Sequence, residues 1–277
     1  MTTSRIVFLD VDGTLVGHDQ QVSPAVAEAV QLARANGHLL FLSTGRSPVE
    51  IPTNVTDLGF DGVISASGGF IEHGGELVGR STMPAAAVDE LSELFRARGV
   101  EYAMQGYEGV YPSQGLLERL TPIFGRIGIH LGDDEGEGAR MAREFTYRGP
   151  APRDAVAKAS FFGEHETTFA QVRDAVGDRF HVITGTIPYL GEAGGEVTLA
   201  GINKGSAVVR LVQKLGLSMA DTVAIGDSSN DLEMFDVVAL AIAMGNADAA
   251  VKERADEITS SVDEDGVAVA FRLHGLV

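Results

Sequence analysis

Two aspartates, Asp10 and Asp12, leave the end of a short apolar run, Ile6-Val7-Phe8-Leu9, and Gly13-Thr14 follows at once. A run too short for a helix and closed by a glycine turn reads as a buried strand. If strand geometry persists, its period of two points both carboxylates to one side. Like charges that close repel each other unless a cation or a shared proton separates them. A buried strand has little structural use for such a pair at its mouth. Chemistry has one: a carboxylate attacks an electrophile while its neighbour moves protons. Asp-Gly is also an ordinary turn pair, so taken alone the feature leaves a surface turn open.

Three further polar clusters sit at comparable places. Ser43-Thr44-Gly45-Arg46 follows the apolar residues 39–42. Lys204 opens a helical pattern whose apolar face is Ala207, Val208, Leu211, Val212 and Leu215. Asp227, Asn230 and Asp231 follow the run Thr222-Val223-Ala224-Ile225 and Gly226. In open parallel sheets the ligand crevice lies at the carboxyl ends of the strands. Four clusters converging there form a constellation that none of them makes alone.

The elements that must position these residues alternate. Ser23-Pro24 is an N-cap followed by proline at the first helical position. Apolar residues then recur at helical spacing as far as Gly37, which stops the helix. Ser47-Pro48-Val49-Glu50 has capping-box spacing, but Pro52 shortens or kinks whatever follows. A third strand covers 62–65 and leads into Ala66-Ser67-Gly68-Gly69. Strand, helix, strand, helix, strand is the signature of a parallel sheet with right-handed crossovers. The middle of the chain is less regular. A helix is expected over 85–98, strands over 159–162 and 180–184, and a helix over 167–176 between them. This reads as a separate α+β domain. The acidic, glycine-rich stretch 132–138 lacks the positions of an EF-hand and reads as a solvated turn. The last third returns to α/β alternation, with a strand over 239–243.

Composition bounds the function. The chain has 277 residues, of which 44% are hydrophobic, so one large or two moderate domains with a real core are possible. There is no cysteine, which excludes disulfides and thiolate metal sites. The formal net charge of −18 disfavours nucleic acid and anionic membranes as partners. Asp10 interrupts the early apolar run, so no secretory signal is expected. No stretch approaches the roughly 18 apolar residues of a membrane span. A cytoplasmic protein, monomeric or homodimeric, is the expectation. G-x-S-x-G, Walker A and H-E-x-x-H motifs are absent from the sequence.

The motifs resemble those of the haloacid dehalogenase superfamily of phosphatases, and within it the Cof-type subfamily. Residues 6–15 match the first motif, Leu42-Ser43-Thr44-Gly45-Arg46 the second, Gly201-Ile202-Asn203-Lys204-Gly205 the third, and residues 226–234 the fourth. Met244-Gly245-Asn246-Ala247 and Asp263-Glu264-Asp265-Gly266-Val267 are also similar to that subfamily. The resemblance implies a Rossmann-like, doubly wound α/β core over 1–81 and 195–277. It places an α+β cap of the C2B type at 82–194, between Thr44 and Lys204, with hinges near 79–84 and 192–195. It implies a Mg²⁺-dependent hydrolysis of a small-molecule phosphate monoester through an aspartyl phosphate. Asp10 is then the nucleophile and Asp12 the acid and base. Val11, Thr44, Gly45, Lys204 and Asn230 bind the phosphoryl group. Asp10, Asp12 (through its main chain), Asp227 and Asp231 form the metal set, with Asp231 acting through water or by positioning Lys204. Arg46 touches substrate or pairs with an acid.

The subfamily often carries Asn-Gly-Ala where this chain has Ser67-Gly68-Gly69, which puts substrate contacts at that loop in question. Tyr102, Gln105, Tyr107 and Tyr189 are candidates either for the substrate pocket or for the core of the cap. A sugar phosphomutase of the same superfamily and a non-catalytic phosphometabolite-binding protein are the competing readings. A receiver domain is less than half this length, and its acidic pair stands a whole βα unit before the acceptor.

Overall fold

The run at residues 6–9 lies at the centre of a sheet because every side chain in it is apolar. In the computed structural model, which describes residues 4–126, 128–131, 136–185 and 190–277, these four residues are all buried. They form β1 (Ile6–Leu9), followed by β2 (Leu39–Ser43), β3 (Gly62–Ser65), β4 (Phe70–His73) and β5 (Glu76–Arg80). An insertion contributes β6 (Glu101–Gly106), β7 (Val110–Pro112), β8 (Val156–Phe162), β9 (Phe180–Thr184) and β10 (Gly194–Leu199). The chain returns with β11 (Thr222–Gly226), β12 (Leu240–Ala243) and β13 (Glu257–Ile258).

Contacts divide the chain into two units. One holds the residues up to Arg46, Glu50–Arg80 and Ile202–Val277; the other holds Ser47–Val49 and Ser81–Gly201. The first contains an eight-stranded sheet in the order β13-β12-β11-β1-β2-β3-β4-β5. It is parallel from β13 to β3, and β4 and β5 add an antiparallel hairpin at one edge. Val7 and Leu9 pack on one face with the helices Pro24–Ala35 and Gly266–Leu273. Ile6 and Phe8 pack on the other, with the helix Lys204–Lys214 and its neighbours. Period two on a strand covered from both sides gives the doubly wound core expected from the sequence.

Local signals behave as the sequence indicates. The Ser23 side chain accepts the Val26 N–H at 3.2 Å, and Pro24 opens the helix. After Ser47 there is only a single turn of 3₁₀ helix, Pro48–Glu50, and then the short helix Thr53–Thr56, because Pro52 has no N–H to continue the first.

The second unit is a five-stranded antiparallel sheet in the order β7-β6-β8-β10-β9. Helices Ala85–Ala97 and Thr168–Val176 cover the face that carries Met104, Ala159, Phe161 and Val197. Register places Gln105 opposite Lys158 and Ser160 opposite Glu196 on the other face, where Lys158 and Glu196 form a buried ion pair at 2.9 Å. The division differs from the expected one at its second crossing. β10 lies between β8 and β9 and carries their hydrogen bonds, so residues 195–201 belong to the inserted unit and the chain crosses at Gly201. The strands β6 and β7 and the helix Leu116–Arg126 were not anticipated, since Pro122 and scattered polar residues blur their periods. Tyr102 is partly buried and packs against the core of this unit, its ring centroid 5.4 Å from that of Phe95. Gln105 is buried and accepts the Ser160 hydroxyl at 3.2 Å. Tyr189 and residues 132–135 of the acidic stretch lie outside the described residues, and the last three residues of that stretch, 136–138, are not a solvated turn but the first turn of the helix Gly136–Glu144.

Candidate active site

Asp10 extends the ladder of β1: its N–H donates to the Ile225 carbonyl of β11 at 3.0 Å. The chain then turns sharply. The Val11 carbonyl accepts from Leu15 and Val16 at 2.9 and 3.0 Å, and Gly13 donates back to Val16 at 2.8 Å. Val11 itself is fully buried. Gly13 has φ +77°, and a Cβ there would stand 2.1 Å from Oδ2 of Asp227. The turn therefore requires glycine twice over, for its backbone and for the carboxylate that passes beside it. The Thr14 hydroxyl donates to Asp227 Oδ1 at 3.3 Å.

Lys204 stands at the first position of its helix, held there by an Asn203 cap that exchanges bonds with Ser206. Gly205 lets the helix approach the Asp227 loop, because a Cβ at that position would meet the Glu233 carbonyl at 1.9 Å. The Lys204 side chain is 0% exposed, and its ammonium donates to Asp10 Oδ1 at 2.7 Å, Asp231 Oδ1 at 2.6 Å and Asn230 Oδ1 at 3.2 Å. All three donors of the ammonium are satisfied. Asp231 is used up in the same way. Its Oδ1 takes Lys204, and its Oδ2 accepts the N–H groups of Asp227 and Ser228 at 3.0 and 3.1 Å. It organises both the loop and the lysine.

One oxygen each of Asp10, Asp227 and Asp231 lie within 4.8 Å of one another. Three carboxylates stand near one ammonium that bonds two of them, Asp10 and Asp231, and the surplus charge shows in their protonation. Burial, and then Asp231, push the Asp10 carboxyl well above the ordinary carboxylate range, against the pull of Lys204. Burial and Asp231 push Asp227 up to about 7. Lys204 goes the other way: burial opposes its charge, but Asp10 and Asp231 outweigh burial and hold its pKa above that of an ordinary lysine. The groups that carry the surplus charge are carboxylates, and hard oxygen donors with spare negative charge suit Mg²⁺.

These shifts fix a sign. Between about pH 4 and about 7 the folded chain keeps a proton on Asp227 that the unfolded chain has released, and the raised Asp10 acts in the same direction, so stability falls as pH rises through that window. The metal-free chain is expected to resist urea better at about pH 5.5 than at about pH 8, with a shallower fall for Asp227→Asn. Equal falls in the two chains would remove Asp227 from the account.

Asp12 is directed elsewhere. Its carboxylate, 43% exposed, is gripped by Arg46, with Nη2 on Oδ1 at 2.6 Å and Nε on Oδ2 at 2.8 Å. Burial would raise its pKa, but the Arg46 charge and hydrogen bonds prevail and lower it. Of the two roles open to Arg46, the structure shows the acid pairing, and the acid is Asp12. The Arg46 N–H donates to the Thr44 hydroxyl at 3.1 Å, which leaves that hydroxyl its own proton to donate. The Ala66 and Ser67 N–H groups donate to the carbonyls of Arg46 and Thr44 at 2.6 and 3.1 Å. Both residues take left-handed backbones to do so, with φ +49° and +52°. The Ser67 loop thus buttresses the Thr44-Gly45-Arg46 loop.

The structure therefore gathers Asp10, Lys204, Asn230 and Asp231 into one buried cluster, with the half-buried Asp227 beside them. Asp12 and Arg46 form a second grouping, with Thr44 bonded to the Arg46 backbone. Sequence reasoning missed Gln20 and underused Asn246. The Asn246 amide donates to the Gly13 carbonyl at 2.9 Å and accepts from Val262 N at 2.9 Å, pinning the turn after Asp12.

A family model described as haloacid dehalogenase-like hydrolase matches residues 7–271. The chain belongs to that family. The expectation of a hydrolase of this superfamily is borne out, as is the α/β core with an added α+β unit. Among relatives of this hydrolase, the 5-amino-6-(5-phospho-D-ribitylamino)uracil phosphatase YwtE of Bacillus subtilis is 28% identical, over 95% of this chain and 96% of its own. The HMP-PP phosphatase of Escherichia fergusonii is 28% identical, over 88% of this chain and 85% of its own. The fold matches that of BT1666, a phosphatase of the haloalkanoate superfamily from Bacteroides thetaiotaomicron, with TM-score 0.79 at 22% identity, covering 99% and 96% of the two chains. Among the described residues of the hydrolase, no helix is long and apolar enough to cross a membrane.

Proposed function

We propose that this hydrolase is a Mg²⁺-dependent phosphatase that cleaves a small-molecule phosphate monoester through a phosphoaspartate on Asp10. The observation that carries the reading is the buried Lys204 ammonium shared by Asp10, Asp231 and Asn230. It fixes a cation beside a carboxylate at the mouth of the central strand, where an anionic group can be held and attacked.

Arg46 holds Asp12 ionised before the ester binds, so Asp12 first takes the proton of the monoanionic ester. An Asp10 oxygen then attacks phosphorus, and the bond from phosphorus to the leaving oxygen breaks as Asp12 passes that proton to it. Water then attacks the phosphorus of the acyl phosphate. Asp12 takes the proton from that water, inorganic phosphate departs and Asp10 returns as a carboxylate. Lys204 and the start of its helix offset charge on the phosphoryl oxygens, and the Thr44 hydroxyl, the Asn230 amide and the main-chain N–H groups of Val11 and Gly45 donate to them. Such catalysis is chiefly positioning and electrostatics. Asp10, Asp227 and the main-chain carbonyl of Asp12 would hold the Mg²⁺, with Asp231 acting through Lys204. Bound there, the ion supplies neutralisation between an anionic phosphate and an anionic nucleophile.

The inserted unit reads as the cap that selects the leaving group. The two relatives named above differ in the substrates their names give, so within this reading the ester is open to sugar phosphates, nucleotides and phosphorylated cofactors. Phosphate release from a panel of such esters, with Mg²⁺ and with EDTA, tests the proposal. The expected result is release with Mg²⁺ and a loss of about 100-fold or more with EDTA. An isomerised sugar in place of free phosphate would establish the mutase. A folded, Mg²⁺-loaded chain that releases nothing from any ester would favour a binding role.

A further inference from the structure

Gln20 belongs to none of the motifs, yet it is tied into the site at four points. Its side-chain carbonyl accepts from Arg46 Nη2 at 2.5 Å, and its amide donates to Asp12 Oδ1 at 3.4 Å and to the Gly17 carbonyl at 3.3 Å. Its main-chain carbonyl accepts the Asn54 amide at 2.9 Å. Its backbone is left-handed, with φ +56°. Glycine takes that conformation freely and Asn or Asp tolerate it, whereas an ordinary side chain adds strain. Strain of this kind persists where surrounding structure over-determines it, and it gathers at functional sites.

The tie acts on the Arg46 guanidinium. An ion pair between two partly exposed side chains does not hold one geometry by itself, since entropy and water compete with it. Arg46 escapes this because the groups around it take two of the three donors that Asp12 leaves: Gln20 Oε1 on Nη2, and the Glu50 carbonyl on Nη1 at 2.9 Å. The guanidinium is planar, so fixing it on that side fixes the plane of the carboxylate it grips. We propose that Gln20 is a positioning residue: through Arg46 it sets where the Asp12 carboxyl stands when a proton passes to the leaving oxygen. This rests on the reading of Asp12 as the proton donor in a phosphatase.

Leaving-group dependence tests it. A 4-nitrophenolate leaves phosphorus without a proton, while more basic phenolates need one. For Gln20→Gly, which relaxes the backbone and removes the tie, kcat/KM at saturating Mg²⁺ is measured along a series from 4-nitrophenyl to 4-methoxyphenyl phosphate. Gln20→Asn, which keeps an amide but is one methylene short, is measured beside it. The expected loss is about tenfold at the basic end and under about twofold for 4-nitrophenyl phosphate, so both variants steepen the dependence. A uniform loss along the series accompanied by a lower melting temperature would make Gln20 merely structural and overturn the inference. Unchanged rates throughout would overturn it as well. A wild-type chain that releases phosphate from no ester at all would instead remove the phosphatase reading, and this inference with it.

Discussion

Asp10→Asn is expected to lose turnover by about 10⁴-fold or more while the chain still folds, because an amide cannot form the acyl phosphate. The side chain keeps its shape and its oxygen, so Lys204 retains an acceptor there as well as Asp231 and Asn230. Losing the charge removes attraction to Lys204 but also repulsion from Asp231 and Asp227, and the two oppose each other. The melting temperature should therefore move by only about a few degrees. Phosphate release at saturating Mg²⁺, measured beside a melting curve, separates the outcomes. Turnover within about tenfold of wild type would place the nucleophile elsewhere.

Lys204→Met carries the second large effect, and here activity and stability fall together. The ammonium is the cation that three of the surrounding acceptors share, and it is wholly enclosed. Removing one partner of a buried ion pair leaves uncompensated charge and costs about 3–5 kcal/mol. Asp10 and Asp231 would then face each other and Asp227 without it. Turnover should drop by about 10²–10³, the range for losing a fixed electrostatic donor to a transition state. Two controls identify the cause as charge. Lowering the pH protonates the acids and should restore part of the stability. A second change, Asp231→Asn, should do the same at neutral pH. Urea midpoints for the single and double variants, read at about pH 8 and about pH 5.5, make the comparison. A single variant as stable as wild type would show that the ammonium does not hold the acids together.

Both effects depend on how the two ends of the chain meet. Asp10 and Lys204 are almost two hundred positions apart, yet the parallel pairing of β1 with β11 and the packing of the Lys204 helix on that sheet bring them within 2.7 Å. Parallel strands separated by long insertions can meet in this way because the insertion folds on its own sheet and core.

Much of this was legible in the sequence. Apolar runs ending in acids mark buried strands whose carboxyl ends carry polar groups, and Ser23-Pro24 marks a helix start. These are local rules of periodicity and capping, and they identified Asp10, Asp12, Thr44, Lys204, Asp227, Asn230 and Asp231 as candidates. What remained undecided depended on contacts between distant positions. Gly194 and Gly195 end the small-residue stretch 192–195 that reads as a hinge, but with the next four residues they form β10, the inner strand of a second sheet, a matter of cross-strand pairing that no local pattern records. Asp231 has the residue type of a metal ligand, and only its bonds to Lys204 and two backbone N–H groups show that both its oxygens are engaged. Arg46 has a strand-end position compatible with either role, and the turn that carries Asp12 decides the pairing. Gln20 sits among ordinary loop residues and gives no periodic or compositional signal. The sequence by itself determined which chemical groups stand at which strand ends, because periodicity and turn chemistry are properties of neighbouring residues. The tertiary structure alone decided which acid each cation holds, because hydrogen bonds between side chains far apart in the chain exist only once the sheet has closed.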